Sequence, residues 1–140
     1  MLRHVRRALL TRLTSAANLT AIVPVSSILP QAPLEAPEMP FVKLGASSAL
    51  PRDAACLRGA TVRFPVHAFS NGRREAGALV ETAEDEASRI GEAIKGALHQ
   101  YGADLPGGRM SVRIVNEQLL VDAEPGAMHW RGEAVAKVTA

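Results

Sequence analysis

The sequence predicts an α+β fold, a small antiparallel sheet of about four strands packed against two α-helices. Three features carry the prediction. Apolar residues recur at helical spacing in two separate segments, Leu2 to Ala16 and Ala83 to Tyr101. Strict alternation, the mark of a half-buried strand, runs through Thr61 to Phe69 and again through Met128 to Val138. The last two strand-like stretches, Met110–Val121 and Met128–Val138, are separated only by a turn at Glu124-Pro125-Gly126, which argues for an antiparallel pair rather than a doubly wound sheet.

The elements follow in order. Leu2, Val5, Leu9, Leu13 and Ala16 line one face of a first helix, with Arg3, Arg7 and Thr14 elsewhere on the wheel and a short turn over Leu19 to Val23 before Pro24. The run from Ile28 to Leu44 contains Pro30, Pro33, Pro37 and Pro40. Proline fixes φ, removes an amide donor and biases its predecessor toward extended backbone, so this segment is an extended arm that enters a strand at Phe41–Leu44. Gly45 to Gly59 shows no period and reads as a long loop, a length often associated with function. In Thr61–Phe69, Val62, Phe64, Val66 and Ala68 form the apolar face, and Pro65 places the strand at an edge or beside a bulge. Ser70-Asn71-Gly72 closes it with turn chemistry.

Thr82, with Asp85 three residues on, resembles a capping box at the start of the second helix. Its apolar face is Ala83, Ala87, Ile90, Ile94, Ala97, Leu98 and Tyr101. Glu84, Asp85 and Glu86 oppose the positive end of the helix dipole, a structural role that needs no partner. Gly102, Pro106, Gly107 and Gly108 end the helix and release the chain into Met110–Val121. In the final strand Met128, Trp130, Ala134, Ala136 and Val138 take one face, and His129, Arg131, Glu133 and Lys137 the other.

A chain of 140 residues has the size of one domain, read here as 1–140, and can bury a real core. Hydrophobic content of 47% and charge of 21% are ordinary, while aromatics at 4% leave the core to Ala, Val, Leu and Ile. A net charge of +2 does not by itself imply nucleic acid. The charge is polarised, however: Arg3, Arg6, Arg7 and Arg12 precede the first acid, Glu35. The Arg-rich, acid-free start also has the pattern of an organellar presequence or a secretory signal, though Asn18, Thr20, Pro24, Ser26 and Ser27 interrupt its apolar part. No apolar run approaches the ~20 residues that span a bilayer, so no membrane partner is expected. The lone Cys56 excludes an internal disulfide and a multi-cysteine metal site.

No catalytic constellation emerges. His4, His67, His99 and His129 lie on different elements, with no pair at metal-ligand spacing. Cys56 has no local base, Gly107-Gly108 is a turn rather than a phosphate cradle, and Arg73-Arg74 reads as a solvated face. The expectation is no catalytic residue, no cofactor and no metal, and hence a binding or structural protein.

Several segments together resemble a known family. They are the helix ending in Leu19-Thr20-Ala21-Ile22-Val23, the segment Ile28-Leu29-Pro30, and the proline-led strand Pro40-Phe41-Val42-Lys43-Leu44. Thr61–Ser70, the helix from Ala83 to Ile94, and a paired strand region over Val112 to Val138 complete the set. In this order they are similar to the tail terminator or tail completion proteins of long-tailed bacteriophages, prophages and phage-like gene transfer agents. The segment Gly72–Thr82 is longer than a minimal member needs.

The resemblance implies a structural virion protein, assembled in the bacterial cytoplasm and placed at the top of the tail tube. There a homohexameric ring would end tube polymerisation and present a docking face to the head connector or stopper protein. DNA would pass through the pore without sequence recognition. Contacts between subunits or with the tail tube protein are then expected in the arm, with Pro33 and Pro37, and in the loop Ser47–Arg58, with Arg52, Asp53 and Arg58. Two other readings stand beside it: a basic DNA-binding adaptor acting through the first helix, and an organelle-targeted small binding protein.

Overall fold

The computed structural model describes residues 1–33 and 35–140; Leu34, inside the expected arm, lies outside the described residues. The elements are α1 (Leu2–Ser15), α2 (Ala17–Thr20), a 3-10 turn (Val25–Ser27), β1 (Ile28–Leu29), β2 (Phe41–Leu44), β3 (Ser48–Pro51) and β4 (Gly59–Ser70). Then come β5 (Arg73–Glu75), β6 (Ala78–Glu81), α3 (Ala83–Leu98), β7 (Tyr101–Leu105), β8 (Gly108–Val121) and β9 (Met128–Thr139).

Helices pack on a mostly antiparallel sheet, but the sheet is larger than four strands. It has seven, in the order β1-β2-β4-β9-β8-β7 with β3 also beside β4, and β5–β6 form a separate two-stranded sheet. β1 and β2 are parallel, with Ile28 opposite Val42, so the proline-containing segment is the crossover between them. The additional strands escaped sequence reading for local reasons. β3 is exposed at all four positions and shows no alternation. β5 and β6 are mostly exposed and join through Ala76 and Gly77, both at positive φ (50° and 81°), the backbone of a type I′ turn. Tyr101, expected on the second helix, instead opens β7 opposite Val112, because the helix ends at Leu98 and Gln100 turns the chain at φ 60°.

β4 is not an edge strand. Its full length pairs with β9, from Gly59 opposite Thr139 to Ser70 opposite Met128. On its other side β2 covers Val66–Phe69 and β3 covers Ala60–Arg63. Pro65 falls in the gap between those two ladders, where its missing amide interrupts neither, and its carbonyl accepts from Gly45 N–H at 2.7 Å.

Alternation places Val62, Phe64, Val66 and Ala68 of β4 and Trp130, Ala134, Ala136 and Val138 of β9 on one face, under α1 and α3. Val5, Leu9 and Leu13 of α1 and Ala87, Ile90, Ile94 and Leu98 of α3 complete this core. Thr82 caps α3, its hydroxyl accepting from Asp85 N–H at 3.1 Å. The one tryptophan is accommodated by glycine on two sides. A Cβ at Gly91 of α3 would lie 2.4 Å from the Trp130 ring, and one at Gly132 of β9 would lie 2.3 Å from it.

Gly91 therefore admits no side chain without moving an indole that is itself enclosed. Alanine at a mid-helix glycine ordinarily gains about 1 kcal/mol of helix propensity. Here overpacking, at about 1–3 kcal/mol, outweighs it. Gly91→Ala is expected to lower the urea midpoint of unfolding, whereas Gly96→Ala, with open space around its Cβ, is expected to raise it.

Candidate assembly interface

The expected contact loop is partly strand. β3 occupies Ser48–Pro51, and the chain then closes a short tip before β4. Arg52 N–H donates to Gly59 O at 2.8 Å, Ala54 and Leu57 bridge each other, and Asp53 Oδ1 accepts from Gly59 N–H at 3.3 Å. Arg52, Asp53 and Arg58 are thus brought together on an exposed tip, along with Cys56 and Leu57. Pro33 is exposed and Pro37 half-buried in the crossover, and no hydrogen bond or ion pair among the described residues joins them to that tip. Arg6 ties the two regions at their roots. Its guanidinium donates to Pro30 O and Gly45 O at 2.7 Å each and to Ser47 Oγ at 3.0 Å. Arg12 donates to Ala97 O at 2.9 Å and lies 4.7 Å from the Tyr101 ring centroid. Two of the four α1 arginines are therefore engaged within the chain.

A second projecting element, the β5–β6 hairpin, has Leu79 and Val80 half exposed. Its base is held to α3 by charge. Arg89 donates to both oxygens of Glu81, at 2.8 and 2.7 Å, and Arg73 approaches Glu81 at 3.7 Å. These arginines, Arg89 foremost, hold the Glu81 carboxyl below the usual carboxylate range, and Glu81 in turn raises Arg89. Glu86 is more than a first-turn acid. It is buried and accepts from Ser70 Oγ at 2.8 Å, while that hydroxyl accepts from Gly72 N–H at 2.9 Å.

The face of the sheet opposite the helices carries Lys43, Arg63, Arg109, Arg113, Arg131 and Lys137 against the acids Asp104, which pairs with Arg109 at 3.1 Å, and Glu133, which pairs with Arg63 at 2.9 Å. On it the structure joins two histidines that sequence spacing kept apart. His67 and His129 sit on neighbouring strands with Nδ1 and Nε2 2.6 Å apart. Only the cross-strand register brings them together, and neither helical nor motif spacing encodes it. His129 stacks on Phe69 at 4.2 Å between centroids, and Phe69 stacks on Phe41 at 4.5 Å. Burial first, then the nearby His129, Lys43 and Arg131, push His67 down to about 4. Burial also lowers His129, partly offset by Asp122.

A groove of about 610 Å³ beside this cluster is lined by Arg6, Lys43, Gly45, Ser47, Pro65 and His67, with no carboxylate or thiol. Among the described residues no three His, Cys, Asp or Glu side chains converge to hold a metal ion. No helix among them is long and apolar enough to cross a membrane.

The histidine pair has a consequence for pH. Between about 6.5 and about 4 the unfolded chain binds a proton at position 67 that the folded chain refuses, so stability falls as pH falls through this window. The urea midpoint of the wild type is expected to drop more between pH 7.5 and pH 5 than that of His67→Gln. Equal drops would show that the pair does not govern this part of the profile.

Comparison with known proteins adds identity to this geometry. The family described as tail completion protein gp17 matches residues 7–134. No curated protein matches the sequence. Among solved structures, a chain of the virion of a native gene transfer agent particle is similar, with a TM-score of 0.78 at 15% identity. The alignment covers 99% of this chain and 97% of that one, so the likeness is of fold. A match across nearly the whole sequence leaves no large segment outside the family's pattern, and the chain belongs to the tail completion protein gp17 family.

Proposed function

We propose that the protein caps the phage or gene transfer agent tail tube as a homohexameric ring, ends tube polymerisation and offers a docking face to the head connector or stopper protein. It works as a structural component, without catalysis, at the head–tail junction, after assembly in the bacterial cytoplasm. DNA passes the pore with no base recognition. The family match over residues 7–134 is the observation that carries this reading.

The shape supports it. The surface, 8048 Å², exceeds the about 7,000 Å² expected of a compact monomer of 14.8 kDa. The excess fits two projecting elements, the 52–58 tip and the β5–β6 hairpin, that reach beyond the core. A cyclic ring needs two different patches per subunit, one for each neighbour, and outward-reaching segments supply such patches. Arg52, Asp53 and Arg58 serve as polar contacts to a neighbouring subunit or to the tube, and the crossover bearing Pro33 and Pro37 flanks them. The engagement of Arg6 and Arg12 within the chain weighs against a DNA-binding role for α1, since Arg3 and Arg7 are its remaining arginines, both exposed.

Mass photometry with negative-stain imaging tests the reading, and rings with a central hole, free or on tail tubes, are expected. The triple variant Arg52→Ala/Asp53→Ala/Arg58→Ala is expected to keep the circular dichroism spectrum of the folded chain while ring formation falls at least tenfold. Undiminished rings and tail joining in that variant would remove the tip from the interface.

A further inference from the structure

The ladder on the outer side of β8 stops early. β9 covers β8 along its length, but β7 covers only Gly108–Val112, and the His99 ring accepts the Ile114 N–H at 3.1 Å, so from Val115 to Val121 the outer edge has no strand partner among the described residues. Val115, Leu119, Leu120 and Val121 of this stretch are 54%, 41%, 39% and 83% exposed. Open apolar edges invite pairing with another chain, and proteins usually blunt them with lysine, proline or a bulge. Here no lysine or proline lies between Arg113 and Val121, and the bulge at Ile114/Asn116 leaves the rest of the edge regular.

The chain also carries an edge that fits. β3 is paired on one side only, to β4, and is exposed at all four residues, with Leu50 at 67%. Strand direction matches. β3 is antiparallel to β4, β4 to β9, and β9 to β8, so β3 and β8 run antiparallel. Rotation about an axis near the strand direction preserves that relation, so a neighbour's β3 would reach β8 in antiparallel sense, the more stable pairing. β3 and the free part of β8 lie at different levels of the sheet. Closing a sheet into a ring requires such a stagger, because the strands tilt. Charge agrees as well. Asp122 and Glu124 follow the free edge, Glu117 within it pairs with Lys95 at 3.3 Å, and Arg52 and Arg58 follow β3.

We propose that the β8 edge of one copy, Val115 to Val121, receives β3 and the 52–58 tip of the next copy, so that one sheet runs continuously around the ring. This rests on the ring reading above and names the two patches it requires.

The native, exposed Cys56 on the tip is the reporter. Glu117→Cys or Asp122→Cys, introduced singly, should give on mild oxidation a ladder of disulfide-linked species beyond the dimer, and Cys56→Ser should abolish that ladder. Independently, Val115→Lys/Val121→Lys, at exposed positions, should shift mass photometry from rings to folded monomers. Wild-type rings with no ladder and with lysine variants that still assemble would overturn the edge pairing and leave the ring intact. A ladder formed instead by Leu79→Cys combined with Glu117→Cys or Asp122→Cys, in a Cys56→Ser background, would assign the edge to the β5–β6 hairpin and overturn the pairing with β3. A wild type that never assembles, free or with tubes, would overturn both the ring and the edge pairing.

Discussion

The β4–β9 ladder is the constraint on which the rest of the molecule depends. From Gly59 opposite Thr139 to Ser70 opposite Met128 it is unbroken, and every other strand of the large sheet attaches to one of these two strands or to their partners. Because strand side chains alternate strictly, a single register decides what faces the helices and what does not. Val62, Phe64 and Val66 meet Ala136, Ala134 and Gly132 across the ladder, so bulk on β4 faces small residues on β9. The space left over the small residues is where Trp130 lies and where Gly91 lets α3 come close. The same register places His67 beside His129 and gathers the cations on the opposite face. Slipping it by one residue would expose the core and bury those charges.

What the sequence made legible follows from the same alternation. The two helices, the Thr82 cap, and the inward and outward faces of β4 and β9 all carry their signal within a window of a few residues. The missing parts have no such window. β3 has four exposed residues and becomes a strand only because β4 lies beside it. β7 was masked by apolar continuity with α3, since Tyr101 fits the helix period as well as the strand. The histidine pair and the Ser70–Glu86 bond join residues whose proximity is set by tertiary register. For the candidate site, the tip bearing Arg52, Asp53 and Arg58 could be located from its charge and lack of period. The open edge of β8 could not be, because an edge is defined by a strand that fails to arrive.

Likeness of fold at 15% identity to a gene transfer agent particle chain is intelligible on these terms. A ladder and two packed helices ask for a pattern of apolar and polar positions, not for particular side chains. Residues with specific partners between elements include Arg6 binding three separate segments, Arg12 binding the end of α3, Glu86 binding the end of β4, and Arg89 clasping Glu81. Each joins elements that the alternation alone would leave unconnected.

The clasp at the base of the β5–β6 hairpin has a mechanical consequence. One strand of the hairpin leaves β4 through Ser70 and Gly72, which share a hydrogen bond, and the other returns through Glu81, gripped by Arg89 of α3. Both roots are fixed to the helix–sheet junction, with Glu86 bridging them from beneath. A force applied to the hairpin tip is therefore transmitted to α3 and β4 together, rather than absorbed by a hinge. That makes the hairpin a strut and not a flexible arm.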